Sequence, residues 1–321
     1  MTELIVTRQN LLVDPVLNVW AWEIPVYLFL GGWVAGMMVL SGAFFARGAQ
    51  DDFPFTSRLT PWVGLGLLSL GMVALFLDLE HKLYTWRLYT TFQIASPMSW
   101  GAWILLAVYP ALAAAVLVRP PAWLVARVDV VAQTSSWLAA RPHAVRRIGW
   151  ANVLLGIALG IYTGILLSSL GARPLWNSAL LGPLFLLSGL SSAAAFVHLV
   201  ARRVGERETL ARADILFLGA ELGVLMLFLI GLASATEAHR SAAALLLGGP
   251  YAAVFWVGVV GLGVVVPIIV QSMAVRHRVR HTPVAPLLVI GGGLVLRFVI
   301  VMAGQESRWT AALHDLWRLP G

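Results

Sequence analysis

The sequence predicts an all-α integral membrane protein of eight spanning helices. Of 321 residues, 60% are apolar and only 12% are charged. A soluble domain carries roughly 25% charge. Mean hydropathy is +0.84. Eight apolar runs reach the roughly 20 residues that a hydrocarbon core demands. They lie at 22–46, 60–79, 98–118, 149–170, 179–201, 212–235, 250–274 and 284–303. The chain reads as one membrane domain, 1–321. It has an outer segment 1–21, helices one to three over 22–118, an inner connection 119–148, helices four to eight over 149–303 and an outer tail 304–321.

The N-terminus, MTELIVTRQNLLVD, lacks a basic region followed by a short apolar run and a cleavage site, so the first run reads as retained. Helix one opens on Glu23 and carries Gly32 and Gly36, a small-xxx-small pair that lets another helix come close. Helix two ends on Asp78. Helix three starts at Pro97-Met98-Ser99-Trp100. Prolines 25, 61, 97, 250 and 286 fall at or near helix starts, where a missing N–H costs little. Pro110, Pro183 and Pro267 fall inside spans and predict kinks. In the inner connection, 121–140 reads as an amphipathic helix on the membrane surface. Helix four repeats Asn152, Gly156, Gly160, Gly164 and Ser168 at spacing four, a packing stripe, with Tyr162 on another face.

Fourteen of the 22 basic residues sit in the connections after helices one, three, five and seven; seven sit in the termini and the other connections, and Arg297 is inside a span. The positive-inside rule then puts both termini outside. Glu23, Asp78, Glu80, Glu237, Glu306 and Asp315 gather on that outer side. The basic pI of about 10.5 reflects loop arginines between apolar runs and points to membrane rather than nucleic acid.

The chain has no cysteine, which excludes disulfides and cysteine-held iron–sulfur clusters. Of seven histidines only His198 falls within a span, so a bis-histidine haem has no ligands. A redox role would therefore need an organic carrier from the lipid, with metals on other subunits.

The most informative stretch is 77–103, LDLEHKLYTWRLYTTFQIASPMSWGAW, which mixes charge with aromatics between two apolar runs. Such a mixture marks a membrane–water boundary. Glu23 and Tyr27 share a face of helix one, Asp78 closes helix two, Ser99 and Trp100 open helix three. Tyr162 of helix four lies roughly 12 Å below the outer end at 1.5 Å per residue. Two carboxylates, two phenols and a tryptophan could converge there around a small amphipathic molecule. Taken singly, Tyr27 and Trp100 also fit an interfacial aromatic belt. Glu23 also fits a first-turn acid favoured by the helix dipole, whereas Asp78 stands at a C-terminus, where the dipole disfavours it. Tyr162 fits either a packing bond or a ligand contact.

A second polar set lies deeper: His198, Asp214, Glu221, Gln271 and Arg297 in helices five to eight. Intramembrane ionisable groups suggest function. They could conduct protons, or Glu221 and Arg297 could form a structural pair, although their expected depths differ by roughly 10 Å.

The segments YLFLGGWVAG (27–36), SPMSWGAW (96–103) and IYTGILLS (161–168), with an aspartate ending helix two, resemble the NrfD/PsrC family. These are membrane subunits of polysulfide-reductase-type molybdoenzymes. The resemblance covers the first four helices, to about residue 170. The run Asp78-Leu79-Glu80-His81-Lys82 departs from the Gly-Arg-Pro that often follows this aspartate in the family.

The resemblance implies an eight-helix bundle of a bacterial cytoplasmic membrane, without haem or metal. It implies a quinone (menaquinone or ubiquinone) bound near the outer face of the first four helices. Electrons would pass between that quinone and an iron–sulfur subunit docked outside, and on to a molybdopterin catalytic subunit. Asp78 and Glu23 would exchange protons with the quinone, and Tyr162, Tyr27, Trp100 and Ser99 would line its pocket. His198, Asp214, Glu221 and Arg297 would carry protons from the inner side. Glu80, His81, Lys82 and Arg87 would dock the partner. Two rivals from other classes are a secondary transporter, for which no internal repeat or broken-helix pair speaks, and a passive anchor for an outside enzyme.

Overall fold

The computed structural model describes residues 19–79, 81–276 and 282–309. Helices α1 (Glu23–Arg47) and α2 (Pro54–Asp78) form a hairpin. A 3-10 turn (Lys82–Tyr84) and α3 (Arg87–Thr90) lead into α4 (Pro97–Val118), followed by α5 (Ala122–Val125) and α6 (Asp129–Ala139). Then come α7 (Pro142–Ser168), α8 (Leu181–Val200), α9 (Val204–Ser234) and α10 (Glu237–Leu247). A π-helical stretch, Val254–Val265, runs into α11 (Val266–Val275), and α12 (Val284–Glu306) follows. Among the described residues, eight segments are long and apolar enough to cross a membrane: α1, α2, α4, α7, α8, α9, Val254–Val275 and α12. The protein is a multi-pass, all-helical membrane protein.

The helices outrun the apolar runs. α7 begins at Pro142 rather than 149, and α9 at Val204 rather than 212. A hydropathy reading stops at Arg146, Arg147 and Arg212, yet arginine and glutamate are good helix formers. The Glu208–Arg212 pair, four apart and 3.4 Å in contact, supports the added turn of α9. Pro61, expected at a helix start, lies inside α2, which already begins at Pro54. Around it Ser57 and Thr60 hydroxyls donate back to Phe53 and Thr56 carbonyls at 2.7 and 2.6 Å. Pro183, expected within a span, sits in the first turn of α8, where no intrahelical donor is needed. Pro267 follows the π-helical stretch, a widened register that commonly marks functional or strained helix segments.

The surface helix expected over 121–140 is two pieces. Val128 is extended, and Asp129 restarts the helix as a first-turn acid. α10 is an unforeseen short amphipathic helix; its charged first turn, Glu237 to Arg240, conceals the apolar face behind it.

α1 is the central post, lying against α2, α4, α7, α8 and α12. Its crossing with α8 is as close as backbone allows. A Cβ on Gly36 would stand 2.2 Å from the Gly189 carbonyl oxygen, and one on Gly189 would stand 2.1 Å from that of Gly32. Small residues replace hydrophobic drive as the means of helix association in lipid.

Polar ties close both ends. At one end Asp51 pairs with Arg119, and Arg203 donates to the Asp51 carbonyl at 3.0 Å. There the buried Glu206 carboxylate of α9 accepts from the Thr56 amide and hydroxyl, each at 2.7 Å, and from the Phe55 amide at 3.3 Å. It caps the N-terminus of α2 from another helix, with the sign the dipole favours. At the other end Gln305 accepts from the amides of Val19 and Trp20 at 3.1 and 2.9 Å. Trp20 packs against Trp176 with ring centroids 5.2 Å apart, and the Trp176 indole donates to the Ile300 carbonyl. The two described chain ends thus meet at one end of the bundle.

Candidate functional site

The end of the bundle that holds Trp20 also carries the first polar cluster. Glu23 opens α1, and Tyr27 follows one turn later, only 3% exposed. Asp78 closes α2, half-buried and close enough to Glu23 to feel its charge. Tyr162 of α7, 5% exposed, faces Tyr27 with the two phenols in hydrogen-bonding reach. The Tyr162 ring lies flush on Gly101 of α4: a Cβ there would stand 1.9 Å from its hydroxyl and ring. One oxygen of Glu23, Oε2, is buried with no partner among the described residues. Three helices thus supply two carboxylates and two phenols to one place, and a fourth, α4, leaves room for them at Gly101.

A connection roofs this cluster. α3 brings Tyr89 within electrostatic range of Tyr27 and Tyr162. Burial, with the Tyr109 phenol beside it, pushes the Tyr89 phenol above the usual tyrosine range, so it stays a neutral donor. A cleft of about 350 Å³ opens next to it, lined by Leu79, His81, Tyr84, Arg87 and Ser99 among others. The Arg87 guanidinium lies 4.7 Å over the Tyr84 ring.

Of the residues expected to line a pocket, Glu23, Tyr27, Asp78 and Tyr162 come together. Ser99 lines the neighbouring cleft, and with Trp100 it holds the roof. The Ser99 hydroxyl accepts from the Gln93 amide at 3.0 Å and donates to the Thr91 carbonyl. The Trp100 indole donates to the Ile94 carbonyl at 2.8 Å, and its ring is exposed. Of the expected docking residues, His81 and Arg87 line the cleft and Lys82 is exposed. Glu80 lies outside the described residues. Tyr89 and Gly101 were missed. Nothing in its spacing marks Tyr89, while Gly101 stood inside the SPMSWGAW segment as the one position there without a side chain.

The second set forms two buried groups of contacts along one face of α9. Gln271 donates to Asp214 at 2.6 Å. Glu221, on the same face of α9, accepts from Ser191 at 3.2 Å and lies within reach of Ser188. Arg297 donates to the Ser188 hydroxyl at 2.5 Å and to the Phe185 carbonyl at 2.8 Å, with its guanidinium 4.6 Å over the Phe185 ring. Glu221 and Arg297 therefore meet through two serines at one level, not at depths 10 Å apart. The depth reading failed because α9 starts earlier than its apolar run. Asp214 Oδ1, Gln271 Oε1 and Arg297 Nε are buried with no partner among the described residues. His198 is buried in the last turn of α8.

The family model for "Polysulphide reductase, NrfD" matches residues 11–307. The chain belongs to the NrfD family. The match runs through all eight spans rather than stopping near residue 170. Protein NrfD of Escherichia coli is 32% identical, over 89% of this chain and 95% of the relative. A polysulfide reductase chain of Wolinella succinogenes is 29% identical, over 89% and 94%. A selenate reductase subunit of Mesobacillus selenatarsenatis is 24% identical, over 88% and 73%. Relatives named as parts of different reductases thus share this membrane fold.

Proposed function

We propose that this NrfD-family chain is the quinone-reactive membrane subunit of a respiratory oxidoreductase complex. It exchanges electrons and protons between a quinone pool and an iron–sulfur subunit docked on the outer face of the cytoplasmic membrane. A molybdopterin subunit beyond that completes the complex. The observation that carries this reading is the convergence of Glu23, Tyr27, Asp78 and Tyr162 at one end of the first four spans. The relatives, named as parts of polysulfide and selenate reductases, support the partner assignment.

The residues fit a quinone as substrate. Its conversion to quinol takes up two electrons and two protons. A neutral Tyr162 phenol donates a hydrogen bond toward a carbonyl oxygen, favouring the reduced form as charge grows there. The unpartnered Oε2 of Glu23 is placed to accept from a hydroxyl donor. Asp78, half-buried at a helix end, takes or gives the proton to the outer side. Gly101 sets the Tyr162 ring by leaving room for it.

The buried series from Asp214 through Glu221 to Arg297 favours a second part of the reading, proton conduction from the inner side. Two bonded groups on one face of α9 make it up: Asp214 with Gln271 of α11, and Glu221 with the serines of α8 that reach Arg297 of α12. A transporter would not need an outer partner, and a passive anchor would not need buried phenols and carboxylates facing one another.

Asp78→Asn in the purified complex tests the reading. Quinol-linked turnover should fall by about two orders of magnitude while dye-linked activity of the soluble subunits holds. Unchanged quinol turnover would sink the assignment of Asp78.

A further inference from the structure

At the opposite end of the bundle a cleft of about 550 Å³ opens where α6 turns into α7. Trp137 and Leu138 of α6 form one wall; Arg141, His143, Arg147 and Ile148 form the other. Two arginines and a histidine line it, and no carboxylate does among the described residues. The acid on α6, Asp129, sits at that helix's far end, roughly 15 Å away at helical rise. The cleft is built to receive negative charge.

Three features shape what can fill it. The Arg141 guanidinium lies 3.8 Å over the Trp137 ring, a cation–π contact that holds it at the cleft wall. α7 starts beside it with no side-chain cap, so the positive end of a 27-residue helix adds to the three side chains. On α7, Trp150 and Leu154 stand three and seven residues beyond Arg147, on the same helical face, and are 59% and 64% exposed. A basic recess thus continues directly into an exposed apolar ridge.

Positive charge followed by apolar surface along one helix face matches an amphiphile, not a free anion. We propose that this cleft binds the phosphodiester headgroup of an anionic phospholipid, with its acyl chains laid along Trp150 and Leu154. Tryptophan at that level suits the headgroup boundary. Basic residues near an anionic membrane surface each add about a fivefold attraction. The site is separate from the quinone cluster, and nothing in it rests on the redox reading.

The test uses the purified complex in a neutral detergent, with lipid retention read by native mass spectrometry. Phosphatidylglycerol should bind in preference to phosphatidylcholine. R141Q/R147Q should weaken phosphatidylglycerol roughly 25-fold, with melting temperature unchanged. Arg276→Gln, an arginine on another helix end, should leave it within about twofold. The soluble headgroup glycerophosphoglycerol should compete poorly. Equal retention of phosphatidylcholine, or wild-type affinity in R141Q/R147Q, would overturn the proposal. So would an equal loss in Arg276→Gln, which would mean a diffuse basic surface. Strong competition by the soluble headgroup would overturn it too, because the site would then serve a free anion.

Discussion

Gly101→Ala should damage quinol turnover although residue 101 touches no substrate. The added Cβ would stand 1.9 Å from the Tyr162 hydroxyl and ring, where ordinary contact begins at 3.4 Å. The ring must retreat by about 1.5 Å, the difference of those two distances, because packed interiors have no slack of that size. A misplacement of about 1 Å can cost about 10²-fold in rate. Quinol-linked turnover in the purified complex should therefore fall about a hundredfold, with dye-linked activity of the soluble subunits unchanged. Overpacking should also cost about 1–3 kcal/mol, visible as a lower melting temperature of an assembled complex. Tyr162→Phe, which removes the phenol without crowding, separates the two effects. If Gly101 acts only by placing that phenol, G101A/Y162F should turn over no more slowly than the worse single variant. Turnover of Gly101→Ala within about twofold of wild type would refute the reasoning, as would a multiplicative loss in the double variant.

Other consequences follow from the buried polar contacts. Glu206→Ala removes the acceptor for three bonds from Phe55 and Thr56 and should cost about 1–3 kcal/mol in denaturant titration, with turnover kept. Arg297→Met strands Glu221 beside the serines and should cost about 3–5 kcal/mol, part of which R297M/E221Q should restore. In liposomes the wild-type complex should generate a membrane potential during turnover and Glu221→Gln should not; no potential in either would favour a purely structural role. Tyr251, outside the spans, is raised above the usual tyrosine value by burial and by its 2.6 Å bond to the Glu306 carboxylate. Below about pH 10 the phenol is protonated in folded and unfolded chains alike, so its contribution is whole there and is lost as pH climbs beyond that value. Tyr251→Phe should flatten the alkaline fall in melting temperature.

Much of the fold was legible because the bilayer imposes a length on apolar runs. All eight spans and the close approach at Gly32 and Gly36 follow from that rule and from residue size. Helix bounds were not legible where charge enters, as at Arg146, Arg147 and Glu206, because hydropathy falls there while helix propensity does not. The candidate site was half legible. Glu23, Tyr27, Asp78 and Tyr162 could be placed by end and face, since each sits on a regular helix. Tyr89, Ser99 and Trp100 could not, because Tyr89 lies in the connection between α2 and α4, which carries no period, and Ser99 and Trp100 at the start of α4 bond to residues of that connection. Trp100 shows this well: one residue from Gly101, it spends its N–H on Ile94 instead of facing the phenols.

The most direct measurement is photolabelling of the membrane-embedded complex with an azido-quinone, followed by peptide mapping. Label should fall on peptides containing Glu23–Tyr27 and Tyr162, and drop in Asp78→Asn and Tyr162→Phe. Label confined to α8 and α12 around Arg297, or unaffected by either substitution, would contradict a quinone site at this end of the first four spans.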